Sequence, residues 1–151
     1  MKVSEIMSVG VQSVRPGTPL ATARDRMRAR KIHHLLVVED AEIRGVLSLR
    51  DLTARGRMGS APKLTVAEAM SPRVVTVAPD TSVRRAANMM RGHSIGCVIV
   101  VEAGVPVGIV TLADMMELVA EPRRHRADRH TPPDLHFLVP HKKQHRSGMP
   151  W

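Results

Sequence analysis

The sequence predicts a mixed α/β (α+β) fold made of two copies of one β-α-β-β-α unit, packed about a pseudo-twofold axis and followed by a basic tail. Three observations carry that expectation. Residues 3–52 laid over 66–115 without a gap share 18 identities, a repeat with a period of 63 residues. Within each copy, apolar runs of strand length alternate with an apolar stripe at helical spacing. The 151 residues, 43% apolar and 25% charged, suit one compact body or two small halves sharing a core. A fixed period marks units that bury their apolar faces against one another, and two copies make a pair rather than a solenoid.

Each copy opens alike, Val3-Ser4-Glu5-Ile6-Met7-Ser8 against Val66-Ala67-Glu68-Ala69-Met70-Ser71. A short strand is expected at 11–14 and 74–77, running into a turn that holds Pro16 or Pro79. Thr18 then reads as a helix N-cap with Pro19 at the first helical position, and Thr81 takes the same place in the second copy. Leu20, Ala23 and Met27 line one helical face, with Arg24, Arg26, Arg28 and Arg30 on the other. Val83, Ala86, Ala87 and Met90 repeat the apolar face. The continuous apolar runs 35–38 and 98–101 suit strands covered on both sides. After a turn comes another strand, ending at Leu47 or Val110, and Ser48 and Thr111 begin a short second helix. The first repeat is expected at 1–57 and the second at 65–120, joined by a linker at 58–64 within a stretch rich in Gly, Pro and Arg. The periodicity ends there, and residues 121–151 read as a disordered basic tail.

The net charge of +9 is uneven: residues 1–119 hold 16 Lys/Arg against 11 Asp/Glu, and the last 32 hold 7 against 3. The only Phe and Trp, Phe137 and Trp151, lie in the tail, and there is no Tyr. Binding of single-stranded nucleic acid uses aromatic stacking platforms, so nucleic acid is not an expected partner of the body. No run approaches the roughly 20 apolar residues of a membrane span. The first ten residues lack the features of a signal peptide. The lone Cys97 excludes an internal disulfide and fits a reducing compartment. The expected setting is the cytoplasm, away from membranes.

Four marks recur in the same order in both copies: a Met-Ser start, Val-x-Pro-x-Thr before the first helix, Ile-x-x-Leu-x-Val-Val-Glu at the second strand (with Val98 for the Leu in the second copy), and Gly-h-h-[Ser/Thr]-x-x-Asp (h apolar) at the last turn. Together they span about 113 residues. Each copy resembles a cystathionine-β-synthase (CBS) domain, and the pair resembles a Bateman module. The resemblance implies a non-catalytic regulatory module that binds an adenosine-containing ligand (AMP, ADP or ATP) in the cleft between repeats. It also implies that two such pairs associate into a dimer. Its ligand-contact element falls on Ser48 and Asp51 in the first copy and on Thr111 and Asp114 in the second.

The chemistry fits that transfer. A carboxylate can accept charge-assisted hydrogen bonds from both ribose hydroxyls, and the amides of a helix start can meet an anion. The same spacing also fits a helix-capping box, and one residue pair can serve both purposes. By the resemblance, the first site combines Ser48 and Asp51 with Ile95 and Gly96 across from them, and with His34 and Arg50 as phosphate contacts. The second combines Thr111 and Asp114 with Ile32 and His33. Cys97 and Ala113 stand where the first copy has His34 and Arg50, so the first site is expected to prefer phosphorylated ligands. Protonation of His34 near its ordinary pKa of roughly 6.5 would strengthen that preference.

No nucleophile elbow, phosphate-binding loop or metalloprotease signature is present, so no enzymatic activity and no required cofactor are expected. Cys97 reads as a small buried hydrophobe. The tail histidines, His125, His130, His136, His141 and His145, lack the spacing of a zinc site. A homodimer is expected from the stripes at Leu20/Met27 and Val83/Met90 together with Leu52, Met115 and Met116. The rival expectation is a dimerising scaffold whose tail binds polyanions or a protein partner, with no nucleotide sensing. The regulated protein is unknown from sequence.

Overall fold

Two β-hairpins organise the molecule, one in each copy, and their turns explain their shape. Glu39 pairs with Glu42 and Glu102 with Val105, leaving two-residue loops. Asp40 and Ala41 have φ of 51° and 63°, and Ala103 and Gly104 have 49° and 78°. Two consecutive positive φ values define the turn whose twist matches that of paired strands. In the computed structural model, which describes residues 1–54 and 64–120, the strands so joined are β3 (His34–Glu39) with β4 (Glu42–Ser48), and β6 (Cys97–Glu102) with β7 (Val105–Thr111). Short strands β2 (Ser13–Val14) and β5 (Thr76–Val77) run parallel to β3 and β6. Helices α1 (Leu20–Arg30) and α4 (Val83–His93) supply the crossovers, and α2 (Leu49–Ala54) and α5 (Leu112–Ala120) follow the hairpins. The β-α-β-β-α order appears twice.

Alternation along β3 and β6 sorts the core. Leu35 and Val37 face α1 in a cluster with Leu20, Ala23, Met27, Leu47 and Leu52. Val98 and Val100 join Ala86, Met90 and Val110. Leu36 and Val46 point the other way, meeting Val11, Cys97 and Ile99 in a third cluster between the two sheets. The apolar runs are therefore covered on one side by helices and on the other by the partner repeat.

The openings of the two copies cross over from one repeat to the other. Val3 and Ile6, from a 3-10 turn at Val3–Glu5, pack into the second repeat's core, and β1 (Ser8–Val9) pairs with β7. Val66 and Ala69, on α3 (Val66–Ala69), pack into the first repeat's core. Each lead-in thus completes the other repeat. The exchange also displaces the expected helix caps. The carbonyls of Thr18 and Thr81 accept from the amides of Val66 and Val3, and the next residues, Pro19 and Ser82, pair as isolated bridges with Thr65 and Lys2. The helices start one residue later than expected: Ser82 accepts from the Arg85 amide at 3.2 Å, and Pro19 takes the matching place without a side-chain cap. The β2 and β5 strands are also shorter than the runs 11–14 and 74–77. The linker, apart from Leu64, and the tail at 121–151 lie outside the described residues.

Gly45 and Gly108 stand where the lead-ins cross the hairpins. A Cβ on Gly45 would sit 2.5 Å from the Ser71 carbonyl oxygen and 2.9 Å from Met70 Sδ; one on Gly108 would overlap Met7 Sδ. Backbone cannot yield as a side-chain tip can. Gly45→Ala is expected to destabilise the protein by about 1–3 kcal/mol, read by urea denaturation. An unchanged midpoint would mean that the crossing has slack.

Candidate functional site

The end of β4 turns directly into α2, and that corner fixes Ser48 and Asp51. Asp51 Oδ2 accepts from the Ser48 amide at 2.7 Å and from the Ser48 hydroxyl at 2.9 Å, while the Asp51 amide donates back to Ser48 Oγ at 3.2 Å. Thr111 and Asp114 repeat the arrangement at 2.7, 2.8 and 3.4 Å. Both pairs are therefore capping boxes. They differ in surroundings: Asp114 is 5% exposed, whereas Asp51 is half-buried on a cavity wall. Capping engages Oδ2 of Asp51, and among the described residues Oδ1 carries no hydrogen bond. A carboxylate has about four lone-pair positions, so two acceptor positions remain.

The cavity lies between the repeats and measures about 650 Å³, within the roughly 300–1,000 Å³ of small-molecule sites. Ser48, Arg50 and Asp51 line it from the first repeat with His33 and His34; Ile95 and Gly96 line it from the second. The geometry thus gathers every residue expected for the first site into one space. The second set is divided. Thr111 and His33 line the same cavity, Asp114 does not, and Ile32 lines a separate groove of about 610 Å³ beside α1 and α2.

One expectation narrows. Most amides at the start of α2 are engaged: Leu49 donates to the His33 carbonyl at 2.8 Å, those of Ser48 and Asp51 serve the capping box, and only the Arg50 amide makes no such bond among the described residues. Phosphate recognition would fall mainly to side chains. Arg50 is exposed, and its guanidinium makes no ion pair among the described residues. Sequence reasoning passed over Ser71, Arg73, Val74 and Ser94, all on the cavity wall. Arg73 was detectable as a break in the repeat, since Gly10 holds its place in the first copy.

Burial sets the electrostatics. The pKa of His34 is lowered from its ordinary 6.5, first by burial and then by the neighbouring charge of His33, against the pull of Asp51 and Asp114. Its protonation therefore falls below the value near 6.5 that was expected. Burial, aided by the charge of Asp51, pushes the Cys97 thiol up to about 12, so it stays protonated and unreactive. Among the described residues no three His, Cys, Asp or Glu side chains cluster as metal ligands. The tail histidines, and with them the polyanion alternative, lie outside those residues.

Comparison with known proteins agrees with this geometry. The CBS domain family model matches residues 3–56 and again 66–121. The CBS domain-containing protein YhcV of Bacillus subtilis is 32% identical over 117 residues, covering 75% of this chain and 81% of that protein. The CBS-domain containing protein ATU1752 of Agrobacterium tumefaciens superposes with a TM-score of 0.66 at 25% identity, covering 73% of this chain and 84% of that one. The CBS domain pair of protein MJ0100, solved in complex with 5′-methylthioadenosine and S-adenosyl-L-methionine, superposes with a TM-score of 0.71 at 25% identity. It covers 82% of this chain and 98% of that one.

The His34 shift has a testable sign. The unfolded chain binds this proton more readily than the folded one, so stability is present above about pH 6.5 and falls as pH drops through that value. Urea midpoints taken between about pH 7.5 and 5.5 should fall less steeply for His34→Gln than for the wild type. Equal slopes would show that burial leaves His34 unperturbed.

Proposed function

We propose that this chain, which belongs to the CBS domain family, is a non-catalytic regulatory module that binds an adenosine-containing ligand of the AMP, ADP or ATP class between its repeats. The observation that carries this reading is Asp51. It lines the cavity with one carboxylate oxygen that, among the described residues, carries no hydrogen bond, next in sequence to an Arg50 that makes no ion pair among them. Vicinal ribose hydroxyls suit the two remaining acceptor positions, and a guanidinium suits phosphate oxygens. Val46, Val74, Ile95 and Ile99 offer an aliphatic wall for the base. The MJ0100 complex supports the adenosine class in a protein of the same fold.

A ligand seated there touches both repeats. It would favour one relative arrangement of them, and so alter how a partner docks, in proportion to its difference in affinity for the two states. The reading places the molecule in the cytoplasm; among the described residues no helix is long and apolar enough to cross a membrane.

The reading also takes the molecule as a homodimer, through a face that keeps Met116 of the residues first expected. Leu20, Met27, Met90 and Leu52 are consumed by the monomer's own cores. Leu112, Met116 and Val119, however, form a stripe along α5 with exposures of 50%, 67% and 76%. A second copy of the chain would cover it.

Calorimetric titration tests the ligand. Asp51→Ala should weaken AMP and ATP binding by about 10- to 100-fold. Asp114→Ala should cost stability and leave nucleotide affinity unchanged. Asp51→Asn, which keeps an acceptor for the Ser48 amide, separates lost binding from a lost cap. Equal affinity in Asp51→Ala and wild type would overturn the assignment. For the dimer, light scattering should give twice the chain mass for wild type and the single mass for Met116→Arg; one mass for both would remove α5 from the interface.

A further inference from the structure

Resting on the adenosine reading of the cleft, we propose that Arg73 is the residue that positions the base, its guanidinium lying flat against the adenine ring. The cavity has two chemically distinct parts. Ser48, Arg50, Asp51 and Thr53, around the start of α2, make one part polar. Val46, Val74 and Ile99 belong to the apolar cluster between the sheets and make the other part aliphatic. Arg73 directly precedes Val74, so it enters beside the aliphatic part, while Arg50 adjoins the aspartate assigned to ribose.

The backbone that carries Arg73 is held on both sides. Two residues earlier, Ser71 exchanges reciprocal backbone hydrogen bonds with Val46, each 2.9 Å long. Two residues later, the Val75 carbonyl accepts from the Ile99 amide at 3.0 Å. The side chain itself is exposed, and it makes no ion pair among the described residues. A flat aromatic base gains most from a flat partner, and residues 1–119 contain no Phe, Tyr or Trp. Besides the imidazoles of His33 and His34, the planar groups on the cavity wall are guanidiniums, which stack on aromatic faces, and of the two arginines Arg73 is the one beside the aliphatic part. Gly10 at the matching position of the first copy offers no second stack.

The two arginines then have separable signatures. In calorimetric titrations of the full chain with adenosine, AMP and ATP, Arg73→Ala should weaken all three by a common factor of about 3 to 30. Arg50→Ala should leave adenosine untouched and penalise AMP and ATP. Arg73→Lys keeps the charge and loses the plane, so it should resemble Arg73→Ala. A loss that grows from adenosine to ATP and is restored by Lys would make Arg73 a phosphate contact and overturn the proposal. So would unchanged binding of all three ligands by Arg73→Ala. Wild-type protein that binds none of them would instead overturn the reading of the cleft, and this proposal with it.

Discussion

The structure depends on an exchange: the segment that introduces each repeat is buried in the other. Val66 and Ala69 finish the core beneath β3 and β4, and Val3 and Ile6 finish the one beneath β6 and β7. Neither repeat is a closed unit without the other's lead-in. Small domains gain little from a single core, so sharing two across the pair secures burial that a repeat of some 55 residues would lack alone. Gly45 and Gly108 are the steric condition for this, because only a residue without Cβ lets the incoming strand lie so close to the hairpin.

The cleft is a product of that exchange. The lead-in of the second repeat reaches the first sheet through Ser71 and Val46 and then continues as Arg73, Val74 and Val75 along the cavity wall. The opposite wall is the corner between β4 and α2, where Ser48 and Asp51 lock one another. Two cores and a capping box therefore hold the site rigid before any ligand enters, which limits the ordering cost of binding. A ligand that spans both walls also bears on the junction between the repeats, and this makes the cleft a natural place from which to change their arrangement.

Much of this was legible in the sequence, for identifiable reasons. The repeat gave the element order, and the doubly apolar runs announced strands covered on both faces. The Ser48/Asp51 and Thr111/Asp114 spacing announced helix starts, and capping boxes are found there. What the sequence hid were relations between distant segments. Thr18 and Thr81 have the chemistry of helix caps, yet their carbonyls are taken by lead-in segments more than 40 residues away. Periodicity could not reveal that the lead-ins cross over, because a repeat aligned with itself looks the same whichever copy it packs against. Asp51 and Asp114 are equivalent in sequence, and only packing makes one a cavity wall and buries the other. The burial that lowers the His34 pKa is likewise a property of the assembled pair.

The asymmetry follows from placing unequal residues on a nearly symmetric frame. Arg50 faces Ala113 across the pseudo-twofold relation, His33 faces Gly96, His34 faces Cys97, and Arg73 faces Gly10. The first three pairs stand at matching places in the two copies' elements, so their differences concern what meets the cavity rather than what holds the fold. At the fourth the backbone differs as well, since Gly10 takes a φ of 79° that Arg73 does not share. Three of the four polar members belong to the first repeat, and the fourth is carried by the segment that reaches back to it. A symmetric frame with equal residues would offer two equal half-sites and no preferred direction of response. Here the polar groups share the cavity that Asp51 lines, while Asp114, with the same capping geometry, is buried and does not line it. A ligand drawn to that side would engage the two repeats unequally, and unequal engagement is what allows binding to bias one arrangement of the pair over another.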